Sequence, residues 1–207
     1  MIDESEPKMT KGAQYNLPYR RRRDARTDYA KRRRLVLSGL PRLVVRPANK
    51  HIAVQVLEAR AVGDRVLASA HSSELREYSW KGAGGNVPAA YLTGALAGYR
   101  AKIKGVEEAV LDVGTRPVTP GSRLFAAMSG AVDSGMKVPH STEVLPAKER
   151  LRGEHIAAYA KTLSKDAGLY QRRFSDYLKH KLKPEEIPAH FEEVREKISH
   201  SFEKKEA

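Results

Sequence analysis

Apolar and polar positions change rhythm several times along the chain. Between residues 41 and 72 they alternate in short bursts: RLVVR (Arg42–Arg46), IAVQVLEA (Ile52–Ala59) and RVLASAHS (Arg65–Ser72). A Val-rich pattern of period near two predicts strands, and PANK and ARAVGD between them predict turns. Connections this short leave room only for hairpins, so the three strands are expected to run antiparallel. From Pro88 the period lengthens. Leu92, Ala95, Leu96, Tyr99 and Ile103 recur every three or four residues and predict one apolar helix face. Pro88 suits the first turn, and Gly105 suits a stop after Lys102 and Lys104. EAVLDVG (Glu108–Gly114) predicts a buried strand. A helix between two strands is a crossover, so this strand should lie parallel to a neighbour. A second helix is expected over about Ser122–Asp133, with Leu124, Phe125, Met128 and Val132 inward.

The ends read differently. Residues 1–40 are charged and show no apolar periodicity before Leu35–Leu37. After KVPHSTEVLP come three charged helical stretches: ERLRGEHIAAYAKTL, KDAGLYQRRFSDYLKH and PEEIPAHFEEVREKISHSFEKKEA. Pro184 and Pro188 break the last two apart. The final stretch has a narrow stripe of Phe191, Val194, Ile198 and Phe202, and such a helix needs a partner surface. The expected organisation is a basic N-terminal extension (1–40), an α/β core domain (41–145) and a charged helical C-terminal extension (146–207). The core should hold a mixed sheet, three antiparallel strands plus one parallel strand, with packed helices.

Charge sharpens this picture. The 207 residues carry 38 Lys and Arg against 25 Asp and Glu, a formal net charge of +13, and the pI is about 9.9. Such a balance points to a polyanionic partner, nucleic acid first and an anionic membrane surface second. There is no cysteine, which excludes disulfides and thiolate zinc sites. The start, MIDESEPKMT, is acidic without an apolar run and does not read as a secretory signal. The longest uncharged run, Gly82–Tyr99, is broken by Gly and Pro and reads as a loop followed by a helix, not a membrane span.

Catalytic motifs do not emerge. GAGGN (Gly82–Asn86) matches neither phosphate-loop spacing. No HExxH occurs, and Glu154 and His155 in GEHIAAY are adjacent and so face different ways on a helix. The Ser and His of AHSSEL are sequence neighbours with no GxSxG elbow elsewhere. No catalytic residues, metal ligands or cofactor are expected.

The densest feature is YRRRRDARTDYAKRRR, Tyr19–Arg34. Nine of its sixteen residues are Arg20, Arg21, Arg22, Arg23, Arg26, Lys31, Arg32, Arg33 and Arg34, opposed only by Asp24 and Asp28. Arg forks suit phosphates and stack on bases. Tyr15, Tyr19 and Tyr29 are interleaved and can stack on unpaired bases. The two Asp temper self-repulsion and allow a short helix once phosphates neutralise the Arg. A membrane arm would carry Trp, Phe or Leu on an opposing face, and this stretch has none. RNA or DNA binding is therefore expected. No helix-turn-helix, zinc-finger or basic-zipper pattern appears.

The stretch YRRRRDARTDYAKRRRLVLSGLPRLVVRPANKHIAVQV, with SAHSSEL, WKGAGGNVPAAYLTGALAGYRAK, AVLDVGTRPVTPGSRLFAAMSGAVDSGMKVPH and RLRGEHIAAYAK, resembles the archaeal-type L18 family of large-subunit ribosomal proteins, whose eukaryotic relative is L5. The likeness runs from about Tyr15 to Leu163. It implies a structural protein of the cytoplasmic ribosome that binds 5S rRNA and helps attach it to large-subunit rRNA at the central protuberance, among neighbouring ribosomal proteins. It also implies a ribonuclease-H-like core without that enzyme's activity. The arm then looks like the 5S-binding extension. Asn49, Lys50 and His51, His71, Ser72 and Ser73, Trp80, Lys81, Gly82, Gly84, Gly85 and Asn86, and Arg116, Ser122 and Arg123 look like RNA-facing turns. These are Gly-, Ser- or Arg-bearing element ends, where backbone N–H groups can meet phosphates or 2′-hydroxyls. Ser122 also suits a helix N-terminus, an anion site. Trp80 either caps the core or stacks on RNA. Two other readings stand beside this one: an RNA-processing enzyme of ribonuclease-H-like fold, and a general nucleic-acid-binding protein.

Overall fold

The computed structural model describes residues 16–206; Tyr15 and the acidic start lie outside the described residues. Two helical segments, α1 (Arg20–Arg23) and α2 (Tyr29–Leu37), precede the strands β1 (Arg42–Pro47), β2 (Ile52–Ala59) and β3 (Asp64–His71). The three strands form an antiparallel meander, with Val45 opposite Val54 and Val54 opposite Ala70. Helix α3 (Val87–Ile103) then carries the chain to β4 (Val110–Asp112), which pairs parallel to β1, giving the order β3-β2-β1-β4. The α/β class, the mixed sheet and the helical crossover are as the periodicity predicts.

Two expectations need correcting. β4 is a half-buried strand of three residues, not a buried strand over Glu108–Gly114. It sits at the sheet edge with β1 as its strand neighbour, and a single parallel bridge, Glu108 to Lys137, continues beyond it. Helix α3 has no single apolar face. It is buried on every side from Val87 to Gly98, while Ile103 at its end is 50% exposed. The sheet covers one side of α3, and α4 (Arg123–Asp133) and α9 (Ile187–Glu206) cover others. The helices α3 and α4 approach so closely that a Cβ on Gly94 would lie 1.8 Å from the Ala127 carbonyl oxygen, and one on Gly130 would lie 2.0 Å from that of Tyr91. Hydrogen in place of a side chain is what allows this crossing.

The C-terminal stretches form α5 (Lys148–Arg152), α6 (Glu154–Leu163), α7 (Ala167–Arg173), α8 (Ser175–Lys179) and α9. Gly153, at φ +89°, divides α5 from α6. The partner surface of the α9 stripe is the core itself: Phe191, Val194, Ile198 and Phe202 are buried in the same cluster as Leu43, Val54, Leu92 and Leu96. Phe202 stacks on Tyr99 with ring centroids 5.3 Å apart. No described helix is long and apolar enough to cross a membrane.

Candidate nucleic-acid interface

Strand alternation puts Leu43 and Val45 of β1 against the helices. Arg42, Val44 and Arg46 face the other side, where the arm lies. Arg42 is 2% exposed. Its Nη1 donates to Asp112 Oδ2 at 2.7 Å, and its Nη2 forms an ion pair with Asp64 Oδ2 at 2.6 Å without hydrogen-bond geometry. Its Nε has no hydrogen-bond partner. The carboxylates Asp64 and Asp112 thus converge on one guanidinium, which offsets one of their two charges.

Asp64 also holds the arm. Its Oδ1 accepts from Arg32 Nη2 at 2.9 Å, and Lys31 Nζ reaches the Gly114 carbonyl at 3.5 Å. The arm's own fold explains how so many like charges coexist. Asp28 N-caps α2 by accepting from the Lys31 backbone N–H, and Arg21 Nε donates to Thr27 Oγ1 at 2.9 Å. The Tyr19 and Tyr29 rings meet at 5.6 Å. Between arm and sheet lies a cleft of about 280 Å³, lined by Arg21, Arg26, Lys31, Arg32, Arg42, Arg46 and Arg116 with Asp28, Asp64 and Asp112. Seven cations against three acids in one concavity favour an anion. Arg20, Arg22, Arg23, Arg33 and Arg34 are exposed and do not line the cleft.

At the far end of β1, the predicted RNA-facing loops meet one another. Gly84 and Gly85 press against the Asn49–Lys50 backbone, and Arg123 Nη1 bridges the Ala48 and Gly85 carbonyls at 2.9 and 2.8 Å. Ser72 is buried and accepts from the Ile52 N–H at 3.1 Å, with His51 Nδ1 at the same distance. His71 caps the turn after β3 by accepting from the Ser73 N–H. The His51 and His71 rings lie 5.0 Å apart. Asn86 caps α3 through Oδ1 and donates from Nδ2 to Tyr177 Oη at 3.2 Å.

Several residues expected to face RNA also make contacts within the fold. Trp80 is 4% exposed, stacks on His190 with centroids 5.3 Å apart, and donates to the Ala83 carbonyl. It caps the core and is closed to a base. Gly82 lies against the Trp80 ring, so its missing side chain serves that ring. Ser72, Gly84, Gly85, Asn86 and Arg123 position loops for the same reason: their polar atoms or close approaches are satisfied within the fold. Asn49, Lys50, Ser73, Lys81 and Arg116 remain exposed, and His51, His71 and Ser122 are half-buried. Ser122 stands at the N-cap of α4 without a side-chain cap bond. His190 Nε2 accepts from the Lys81 N–H at 3.1 Å, and burial pushes its pKa down against the opposing pull of Glu193.

Sequence reasoning missed Arg42, Arg46, Asp64 and Asp112. The signal was available: Arg42 and Arg46 lie four apart in an alternating strand and so share its non-core face.

The family model described as ribosomal large subunit proteins 60S L5 and 50S L18 matches residues 13–107 and 102–141. The chain is also 55% identical over 196 residues to the large ribosomal subunit protein uL18 of Aeropyrum pernix, covering 94% of this chain and 92% of that protein.

Proposed function

We propose, because this chain belongs to the family of ribosomal large-subunit proteins that includes 60S L5 and 50S L18, that its arm and cleft hold 5S rRNA. The chain is a structural protein of the large ribosomal subunit, and its partners are rRNA and ribosomal proteins. Its place is the cytoplasmic ribosome, and in our reading the central protuberance, where it helps attach 5S rRNA to large-subunit rRNA.

The observation that carries the reading is the seven-cation cleft, which exists because Asp64 and Gly114 seat the arm on the sheet. A phosphate entering it meets guanidinium forks already oriented by the fold, so little side-chain entropy is lost on binding. The exposed Arg20, Arg22, Arg23, Arg33 and Arg34 extend the grip along the backbone, and Tyr19 and Tyr29 offer rings to unpaired bases. Asn49, Lys50, His51, His71, Ser73, Lys81 and Arg116 complete the surface. The mixed order β3-β2-β1-β4 supports a ribonuclease-H-like core at 41–145, flanked by the extensions 1–40 and 146–207. The pairing of Asp64 and Asp112 with Arg42 and Arg32 favours a non-enzymatic role.

Fluorescence anisotropy with 5S rRNA and with duplex DNA of equal length, across a salt series, tests this. The expected result is at least about tenfold tighter binding to 5S rRNA, or 1.4 kcal/mol. Equal affinity for both would make the chain a general nucleic-acid binder and overturn the 5S reading.

A further inference from the structure

One strongly charged surface is left over by the arm and loops. Residues 161–183 carry seven Lys and Arg against two Asp, a net +5, whereas residues 184–207 carry seven Glu against four Lys and Arg, a net −3. All seven cations of the first segment are exposed. Among the described residues none of them pairs with a carboxylate, although cations of the flanking helices do: Arg152 and Arg195 both engage Glu192, at 3.0 and 3.1 Å.

Intramolecular roles account for part of this charge. Arg172 and Arg173 occupy the last turn of α7, where cations favour the helix dipole. Lys161 and Lys179 likewise lie in the last turns of α6 and α8, whereas Lys165, Lys181 and Lys183 have no such use. Lys181 sits in the left-handed region at φ +54°, which strains a side-chain-bearing residue and suits a glycine. The turn therefore presents a cation at a position where the backbone favours glycine. Tyr159, 50% exposed, packs its ring edge-on against Phe174 beside this surface, so an aromatic face accompanies the charge. The platform is firmly held: Phe174, Tyr177 and Leu182 are buried, Tyr170 Oη donates to Glu185 at 2.9 Å, and Tyr177 accepts from Asn86. Through Asn86 and its neighbour Gly85 this surface adjoins the Ala48 end of β1. The arm is latched at the Arg42 end, roughly 17 Å of strand away.

We infer that α7, α8 and the turn after them grip the phosphate backbone of large-subunit rRNA, an RNA segment apart from the one in the arm cleft. This rests on the rRNA-binding reading above. Fixed cations facing outward beside an exposed tyrosine match phosphate and base together.

The test uses the full chain carrying Arg172→Gln, Arg173→Gln, Lys179→Gln and Lys181→Gln, with 5S rRNA and large-subunit rRNA as separate probes over a salt series. All four positions are exposed, and an unchanged melting curve confirms the fold. If each cation neutralises one phosphate, the slope of log K against log salt for large-subunit rRNA flattens by about 3–4 units, while 5S binding changes less than about threefold. An unchanged slope and affinity for large-subunit rRNA overturns the inference. So does an equal loss on 5S rRNA, which would place the surface on the same RNA as the arm. A wild-type chain that binds neither RNA would defeat the underlying rRNA reading as well, and that outcome is told apart by the wild type alone.

Discussion

Alanine at Gly85 separates two explanations for the glycine-rich loop. The added Cβ would lie 2.6 Å from the Asn49 carbonyl oxygen and 3.1 Å from the Lys50 carbonyl carbon. Both are backbone atoms and cannot swing aside, so the loop and the β1–β2 turn must part. Parting them stretches the Arg123 bridge, whose two bonds are 2.9 and 2.8 Å long. Overpacking of this kind costs about 1–3 kcal/mol, and weakening a charge-assisted bond adds about 1 kcal/mol. For a chain of this size each kcal/mol lowers the melting temperature by about 2–4 °C, so Gly85→Ala, at about 2–4 kcal/mol in all, should melt about 4–16 °C early. At Gly84 the two nearest atoms are side-chain ones, Ser72 Oγ at 3.0 Å and His51 Nδ1 at 3.1 Å, and the backbone oxygen of Lys50 is no closer than 3.2 Å, so the contact is looser than at Gly85. Gly84→Ala should therefore cost less than about 1 kcal/mol. Circular dichroism melts, paired with 5S rRNA anisotropy well below the transition, measure both quantities. The expected pattern is a clear stability loss for Gly85→Ala with RNA affinity changed by less than about threefold. If Gly85→Ala melts like wild type and loses tenfold or more in affinity, the glycine serves RNA approach and the packing argument is wrong.

Leu96→Ala should lower the unfolding free energy by about 2–5 kcal/mol in denaturant titration, since Leu96 is fully buried in α3. Asp112→Asn should cost about 1.5–3 kcal/mol by the same measurement, because it weakens a charged hydrogen bond to the buried Arg42. Changing the nine cations of Tyr19–Arg34 to Gln should flatten the salt slope of 5S binding by about 3–4 units. Stability should fall by less than roughly 1 kcal/mol, because the Arg32–Asp64 pair is partly exposed and Asp64 keeps Arg42. His190 is held neutral by burial and accepts from Lys81, so its folded pKa lies below the unfolded value of about 6.5. Its stabilisation is full above that value and is lost as pH falls through the lowered folded pKa. His190→Gln should accordingly melt with a smaller drop between neutral and acidic pH than wild type does.

The sheet was legible because period two is a strong signal and the turns between the strands are too short for anything but hairpins. Helix α3 was located correctly at Pro88, but its all-round burial was not visible from a single stripe. Which sides of a helix are covered depends on α4 and α9, whose docking lies far along the chain. The small residues of VPAAYLTGALAG were the available hint. In the site, the arm's charge was plain in sequence. Its seating was not, because the Arg32–Asp64 pair joins residues on separate elements. The contacts that Ser72, Gly84, Gly85, Asn86 and Arg123 make within the fold were not visible in sequence, because Gly, Ser and Arg at element ends serve loop-to-loop packing as readily as phosphate contact.

The position of β4 in the sheet has a kinetic consequence. The β1–β2–β3 meander closes through short loops and is expected to form early, whereas the three-residue pairing of β4 with β1 spans the whole of α3 and pays a larger closure entropy. One of the arm's two seats, Asp64, belongs to the meander, but the other, Gly114, follows β4. The cleft wall formed by Asp112–Arg116 also waits for that strand. A chain halted before β4 joins would thus expose its arginines without a cleft to organise them. Pulsed hydrogen exchange should protect Val54 before Leu111, and discrimination of 5S rRNA from other polyanions should arise with the second event. On the proposed 5S reading, folding would then act as a checkpoint on selectivity, with the last strand to arrive turning a sticky polycation into a selective one.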